Sequence, residues 1–174
     1  ISRRARAGVT GVRRSHGLFV SRGIGAFPRY AGTVHRLYDT TGELLFERRD
    51  PQYPGGAPLA VDLTGDGVDE PLFFSQQYPF GEGGRIHVLH VATGEVVTHD
   101  VATNLAATPA VADPRQTGTL ELIVPTWYIA PSDGPPDWSH LRWRLLRLDL
   151  SAPVPDTLAW TGYMGTDADG HFPP

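Results

Sequence analysis

The chain is divided into short apolar runs by turns that are rich in glycine, proline and acidic residues. Residues 59–61 are apolar, an acidic stretch follows, and residues 71–74 are apolar again. No segment keeps an apolar stripe with the period of a helix over three turns, and prolines interrupt the chain often. With 20 glycines and 16 prolines among 174 residues and no collagen-like period, the pattern predicts an all-β protein of short strands.

One unit of the pattern recurs at intervals of about 50 residues, which is the size of a structural repeat. Residues 59–74 align with residues 110–124 and, more weakly, with residues 9–20. The polar positions that coincide in this alignment are His16, Glu70 and Glu121. The spacing therefore predicts tandem repeats.

A second pattern, strand then Thr-Gly turn then strand, keeps the same step. It spans residues 34–46 and residues 86–97, and a worn copy covers residues 143–160. Alternating apolar and polar residues around a Thr-Gly turn predict a β-hairpin in each copy. His35 and His87 occupy the same place in the first two copies, and packing or surface roles are favoured there over metal ligation.

Together the two patterns predict four short antiparallel strands in each unit, which is the size of one propeller blade. We expect a single repeat domain over residues 1–174, with approximate blades at residues 1–56, 57–107 and 108–174. A closed propeller takes ~4–8 blades, so about three repeats of ~51 residues make an incomplete propeller or one completed by another chain. Exposed strand edges at both ends favour pairing with another chain.

Oxygen-bearing residues are regularly spaced along residues 62–70, around a central Gly-Asp-Gly turn. Glycine lets the backbone bend tightly, and Ca²⁺ takes ~6–8 oxygen ligands in flexible geometry. The spacing therefore predicts a site for one Ca²⁺ ion, while an ordinary acidic turn is the alternative. The expected ligands are the side chains of Asp62, Thr64, Asp66 and Glu70 and the carbonyl oxygen of Val68.

Residues 57–70, with this turn and its flanking acidic residues, resemble the FG-GAP/VCBS repeat of integrin α-subunit propellers and many bacterial extracellular proteins. The resemblance implies that the loop joins the first two strands of a blade and holds Ca²⁺ through the same five residues. The Thr-Gly-Glu hairpins also look like the outer strands of quinoprotein-type blades. Only the second repeat carries the full motif, so the resemblance implies one metal site in the chain.

The corresponding loop of the third repeat, residues 113–121, departs from the metal-binding pattern. Asp113 and Glu121 remain, but Arg115 and Thr117 take the middle positions. A guanidinium group there can pair with either carboxylate, so we expect Arg115 to act as an internal cation in place of a metal.

Aromatic residues concentrate in residues 125–143, an insertion between the second and third strands of the third repeat. Aromatic side chains on a proline-stiffened loop can stack on sugar rings or anchor a protein partner, and covering the propeller edge is the alternative. Residues 76–84 are the equivalent loop of the second repeat. The candidate partner-binding residues are Trp127, Tyr128, Trp138, Trp143, Tyr78 and Phe80.

Composition narrows the chemistry that is open to the chain. It contains no cysteine, which excludes disulfides, thiol catalysis and cysteine-based metal or haem sites. Its net charge of −4 predicts no general affinity for nucleic acid, and no apolar run is long enough to predict a membrane span. No nucleophile elbow, phosphate loop or nucleotide fingerprint is present, so no catalytic residue is predicted.

These features predict a non-catalytic binding or assembly module of the FG-GAP type, extracellular, periplasmic or at the cell surface. Extracellular Ca²⁺ is abundant enough to fill even a weak loop. The expected partner is a protein, or another chain that completes the propeller, with carbohydrate as a further possibility. Two alternatives stay open, a fragment of a quinoprotein-like or polysaccharide-active propeller enzyme and an accessory subunit of a large extracytoplasmic assembly.

Overall fold

The computed structural model of the chain describes residues 17–26, 29–77, 83–101, 104–105, 107–130 and 138–155. In these ranges it contains twelve strands, all paired antiparallel, and one 3-10 turn at Trp138–His140. The prediction of an all-β protein is therefore confirmed. The strands form three separate open sheets. Across the described ranges, no helix is long and apolar enough to cross a membrane.

The first sheet has three antiparallel strands in chain order, which are β1 (Leu18–Ala26), β2 (Arg29–Tyr38) and β3 (Leu44–Asp50). A predicted Thr-Gly turn joins β2 to β3. Asp39 closes this turn by accepting the backbone N–H groups of Thr41 and Glu43. The hairpin predicted for residues 34–46 is therefore confirmed.

The second sheet has five strands, which are β4 (Tyr53–Pro54), β5 (Leu59–Val61), β6 (Glu70–Gln76), β7 (Gly84–His90) and β8 (Glu95–Val101). β4 and β5 both pair with β6, on the edge that faces away from β7. β7 and β8 form the second predicted Thr-Gly hairpin. The sheet thus has four strand positions across its width.

In the described residues, the third sheet repeats the first three of these four strand positions, with the strands β9 (Asn104–Leu105), β10 (Ala110–Ala112), β11 (Thr119–Ile129) and β12 (Leu141–Pro153). β9 and β10 both pair with β11, and β12 pairs along the other edge of β11. We expected a loop throughout residues 125–143, and this expectation is wrong at both ends. Residues 125–129 and 141–143 prolong β11 and β12, because their side chains pair across the two strands.

The two larger sheets start a few residues before the predicted blade boundaries at residues 56/57 and 107/108. Their first strands, β4 and β9, contain two residues each and pair with the far ends of β6 and β11. Strands this short have no alternating pattern, so the pairing could not be predicted from the sequence.

The main hydrophobic core lies between the second and third sheets. β6 contributes Leu72 and Phe74, and β11 contributes Leu122 and Val124, all of them almost fully buried. Val61 and Glu70 face each other at the start of the second sheet, as Ala112 and Glu121 do in the third. This register gives each residue of β6 a counterpart in β11.

The counterparts of Leu72 and Phe74 are Ile123 and Pro125, which alternate with the core residues of β11. Successive side chains of a strand point to opposite faces, so Ile123 and Pro125 lie on the face turned away from the second sheet. The second and third sheets therefore pack with opposite faces in contact.

The first and second sheets pack through a smaller apolar cluster of Leu37, Phe73 and Leu89. His35 and His87, which hold the same place in their repeats, lie in this interface with ring centroids 6.4 Å apart. Both histidines are completely buried, so of the two predicted roles, packing and surface, the structure shows packing. These two sheets meet through corresponding faces, unlike the second and third.

Candidate functional site

The predicted metal-binding loop, residues 62–70, links β5 to β6 and is folded around the carboxylate of Asp62. This carboxylate accepts the backbone N–H of Gly65 at 2.7 Å and that of Gly67 at 2.9 Å. Both glycines have positive φ angles, of 75° and 84°, which residues with a side chain adopt only at a cost. The glycines therefore let the backbone wrap around one carboxylate.

Glu70 closes the other end of this loop and is buried, with 3% of its surface exposed. Its Oε2 atom accepts the backbone N–H of Leu63 at 2.8 Å. Burial raises the pKa of Glu70, and the nearby carboxylates of Asp66 and Asp62 raise it further. In the described part of the chain, no basic side chain lies within ion-pair distance of Glu70.

The loop of the third sheet, residues 113–121, has the same backbone form. Asp113 accepts the N–H groups of Thr117 and Gly118, and these bonds hold the pKa of Asp113 below its usual range. Positive φ angles recur at Gln116 and Gly118, with values of 56° and 78°. The two loops thus bend at matching positions, although only one of them carries glycine at both.

The buried carboxylate of the third-sheet loop is neutralised by arginine. Arg115 forms an ion pair with Oε1 of Glu121, as predicted, and Arg147 from β12 lies 3.4 Å from Oε2. Sequence reasoning missed Arg147, because its pairing depends on the β11–β12 register that brings residues 121 and 147 to neighbouring positions. Glu121 therefore has two cationic neighbours where Glu70 has none within ion-pair distance in the described residues.

The acidic loop offers the oxygen atoms that Ca²⁺ prefers. Thr64 and Asp66 are exposed at its tip, and Asp66 accepts the backbone N–H of Val68 at 2.8 Å. Within the described ranges, no three acidic or histidine side chains already stand in a metal-ligand arrangement. The donor chemistry fits Ca²⁺, and the site itself stays a prediction.

The long hairpin of β11 and β12 presents an apolar surface on its outer side. Trp127 faces Trp143 directly, and residues directly opposite in an antiparallel pair share one face of the sheet. The pairs on either side of these tryptophans lie on the same face of the sheet. We call this surface the hairpin face, and it comprises Pro125, Trp127, Ile129, Leu141, Trp143 and Leu145. Trp143 is 67% exposed and Leu145 is 68% exposed.

The predicted partner-binding aromatics are only partly brought together. The ring of Trp138 lies 5.7 Å from that of Trp127, so three tryptophans cluster at the hairpin face. Tyr128 lies on the opposite face, where the guanidinium group of Arg144 stands 4.8 Å from its ring. Tyr78 and Phe80 lie outside the described residues.

A buried polar cluster between the first and second sheets was missed by sequence reasoning. Ser75 Oγ lies 2.9 Å from His87 Nε2, which is 3.3 Å from Oδ2 of Asp50. Burial by itself raises the pKa of Asp50, but hydrogen bonds from His87, Ser75 and the Gln52 backbone outweigh it and hold the pKa well below its usual range. The three side chains are at most 3% exposed, so no substrate reaches this serine, histidine and aspartate.

The recurrence of a histidine at positions 35 and 87 was the signal for this cluster in the sequence. Its partners come from other strands, which meet through strand pairing and through the packing of the first sheet on the second.

Comparison of the chain with protein family models, with curated proteins and with solved structures finds no match in any of the three.

Proposed function

We propose that the chain is a non-catalytic binding and assembly module of the FG-GAP type, stabilised by one Ca²⁺ ion in the loop of residues 62–70. The observation that carries the proposal is the buried carboxylate of Glu70. Its pKa is raised by burial and by Asp66 and Asp62, because the loop holds negative charges that repel one another. A bound cation would relieve this repulsion.

The third-sheet loop supports the same conclusion. It shares the backbone form of the acidic loop, and its buried glutamate is neutralised by Arg115 and Arg147. Each of the two loops thus contains a buried glutamate carboxylate. Guanidinium groups neutralise one of them, and in our proposal a metal ion neutralises the other. Because a buried charge without an ion-pair partner is costly, a counter-ion would stabilise the acidic loop.

Five residues would hold the ion. Asp62, Asp66 and Glu70 would supply carboxylate oxygens, Thr64 its hydroxyl and Val68 its carbonyl, with water completing the ~6–8 ligands that Ca²⁺ takes. The ion would fix the β5–β6 connection, and no residue of the loop would take part in catalysis. Extracellular or periplasmic Ca²⁺ would keep such a site filled, which fits a location outside the cytoplasm.

Calorimetric melting of the full chain with Ca²⁺ and with excess chelator tests the metal site. We expect a higher melting temperature with Ca²⁺, by the equivalent of about 2.7 kcal/mol when free Ca²⁺ is a hundredfold above the dissociation constant. Asp66→Asn keeps an acceptor for the Val68 N–H but removes a ligand charge, so it should abolish the Ca²⁺ effect.

The matched control is Asp39→Asn, which alters a turn carboxylate with similar backbone contacts in the first sheet. This variant should keep the full Ca²⁺ response. Equal melting of the unmodified chain with Ca²⁺ and with chelator would show that the loop is an ordinary acidic turn.

The hairpin face supports the binding part of the proposal. In the second sheet, the face that corresponds to the hairpin face is covered by the third sheet. Its residues Leu72 and Phe74, which lie in the shared core, are the counterparts of Ile123 and Pro125. Opposite faces also meet between successive blades of a propeller, since each blade is related to the next by rotation. We therefore propose blade-like stacking for the second and third sheets.

The partner that fits the hairpin face is a protein that presents the apolar face of another β-sheet. The aliphatic residues Ile129, Leu141 and Leu145 surround the tryptophans, and they offer sheet-to-sheet packing but no hydrogen bonds to a sugar. A contiguous exposed apolar patch is typical of a protein–protein interaction site. In this proposal, the partner continues the stack that the second and third sheets begin.

A further inference from the structure

His35 lies in the interface between the first and second sheets and has one ring nitrogen without a partner. Its Nδ1 atom lies 2.8 Å from Ser21 Oγ, while its Nε2 atom is buried and makes no hydrogen bond. The ring is fully buried and its centroid lies 4.4 Å from that of Phe73. When both ring nitrogens are protonated, the Nε2–H therefore has no acceptor among the described residues of the closed interface.

On balance, burial and the charged and titratable groups around His35 disfavour a positive charge on its ring. His87 from β7 and Arg48 from β3 are the basic neighbours, and both disfavour a further cation. Among the described residues, Asp50 is the acidic neighbour that favours a charged His35, but its carboxylate already accepts hydrogen bonds from the second sheet and the Gln52 backbone. The closed interface is thus built for a neutral His35.

We propose that the contact between the first and second sheets is an acid-sensitive latch, in which protonation of His35 releases the first sheet from the second. In the described residues, the apolar contact between these sheets has three buried side chains, Leu37, Phe73 and Leu89. Four partly buried side chains pack against them, which are Phe19, Phe46, Val91 and Val96. The second and third sheets share a much larger apolar core and no comparable histidine pair in the described residues. Acid should therefore loosen one interface and spare the other. This property is independent of the proposed metal site.

The sign of the effect follows from the two states of His35. In the closed interface the pKa of His35 is lowered to about 4, first by burial and then by His87. After release the ring is hydrated and has the ordinary value of about 6.5. The contact is therefore fully stable above that value and weakens as the pH falls towards 4. By linkage, the released form should gain about 30-fold over the closed form between pH 7.5 and pH 5.

Hydrogen exchange of the backbone amides tests the latch in the full chain with excess chelator present. Protection of β2 should fall by about 30-fold relative to β11 between about pH 7.5 and pH 5, after correction for the intrinsic pH dependence of exchange. His35→Gln keeps a polar partner for Ser21 but cannot be protonated, so it should remove this fall. His99→Gln, at an exposed position on β8, should leave it unchanged.

The inference is overturned if β2 keeps its relative protection at pH 5, if β2 and β11 lose protection together, or if His35→Gln shows the full loss. Titration of the His35 ring by NMR in the unmodified chain gives a second test that needs no variant. A midpoint well below pH 5 supports the latch, and a midpoint near 6.5 overturns it.

Discussion

Two buried glutamates hold the same place in neighbouring sheets and have different neighbours. Glu121 is paired with Arg115 and Arg147, while Glu70 has the carboxylates of Asp62 and Asp66 near it. The free-energy cost of a buried charge depends on what surrounds it. A buried glutamate should therefore cost less in the third sheet than in the second. Single substitutions at the two positions should therefore differ in their effect on stability.

Without Ca²⁺ at neutral pH, we expect Glu70→Gln to leave the free energy of unfolding unchanged within about 0.5 kcal/mol or to raise it. The amide can still accept the Leu63 N–H, and the substitution removes a charge whose pKa is raised in the folded state. Denaturant unfolding with chelator measures the change. With Ca²⁺ present, the same variant should be less stable than the unmodified chain, because a ligand is missing.

Glu121→Gln is the matched variant, and it should lower the stability by about 1–2 kcal/mol with or without Ca²⁺. The expected loss is modest because Arg115 and Arg147 are about half exposed and water can solvate them. A loss at Glu70→Gln as large as that at Glu121→Gln in the absence of Ca²⁺ would contradict the unbalanced charge that we assign to the acidic loop.

At the scale of single residues, the sequence was sufficient where partners are close along the chain. The pairing of Arg115 with a carboxylate of its own loop, Asp113 or Glu121, was predicted, and the structure pairs it with Glu121. The contacts of Arg147 and of Asp50 were not predicted, because they depend on strand register and on packing between sheets. Local chemistry can be predicted from spacing, and long-range partners cannot.

In the hairpin of β11 and β12, the alternation of side chains along each strand decides which residues are buried. Leu145 and Leu146 are neighbours in the sequence, yet Leu146 packs on the main core and Leu145 is 68% exposed. The sequence predicted hairpins wherever a Thr-Gly turn marked the centre. It failed at residues 125–143, because prolines and aromatics suggested a loop where strand pairing continues.

We predict that Leu146→Ala lowers the free energy of unfolding by about 1–3 kcal/mol, since it removes apolar contacts with the core. Leu145→Ala should change it by less than about 0.5 kcal/mol, because the side chain is largely in water. Denaturant unfolding of the two variants measures both effects. If the hairpin face binds a sheet of another protein, Leu145→Ala should nevertheless weaken that association. Equal destabilisation by both variants would mean that Leu145 is covered within the chain.

The three sheets are held together unequally at the scale of the whole molecule. The second and third sheets share a continuous apolar core, whereas the first joins the second through a small apolar cluster and a buried polar network. The sequence predicted the all-β class and the hairpins, because these depend on local patterns. The sense in which each pair of sheets packs could not be predicted, because it depends on which face of each strand meets its neighbour.

The first sheet should therefore open at a lower free energy than the other two, by roughly 2 kcal/mol at neutral pH. Hydrogen exchange in low concentrations of denaturant measures this, with β2 amides reporting on the first sheet and β11 amides on the third. Leu122→Ala sharpens the test, because Leu122 is fully buried in the core between the second and third sheets.

That substitution destabilises the closed state and the state with an open first sheet equally. It should therefore lower the opening free energy of β11 by about 3 kcal/mol and leave that of β2 unchanged. If β2 and β11 respond equally, the three sheets unfold as one cooperative unit. The small interface would then be as strong as the large one, and the apolar area buried between sheets would not set the order of opening.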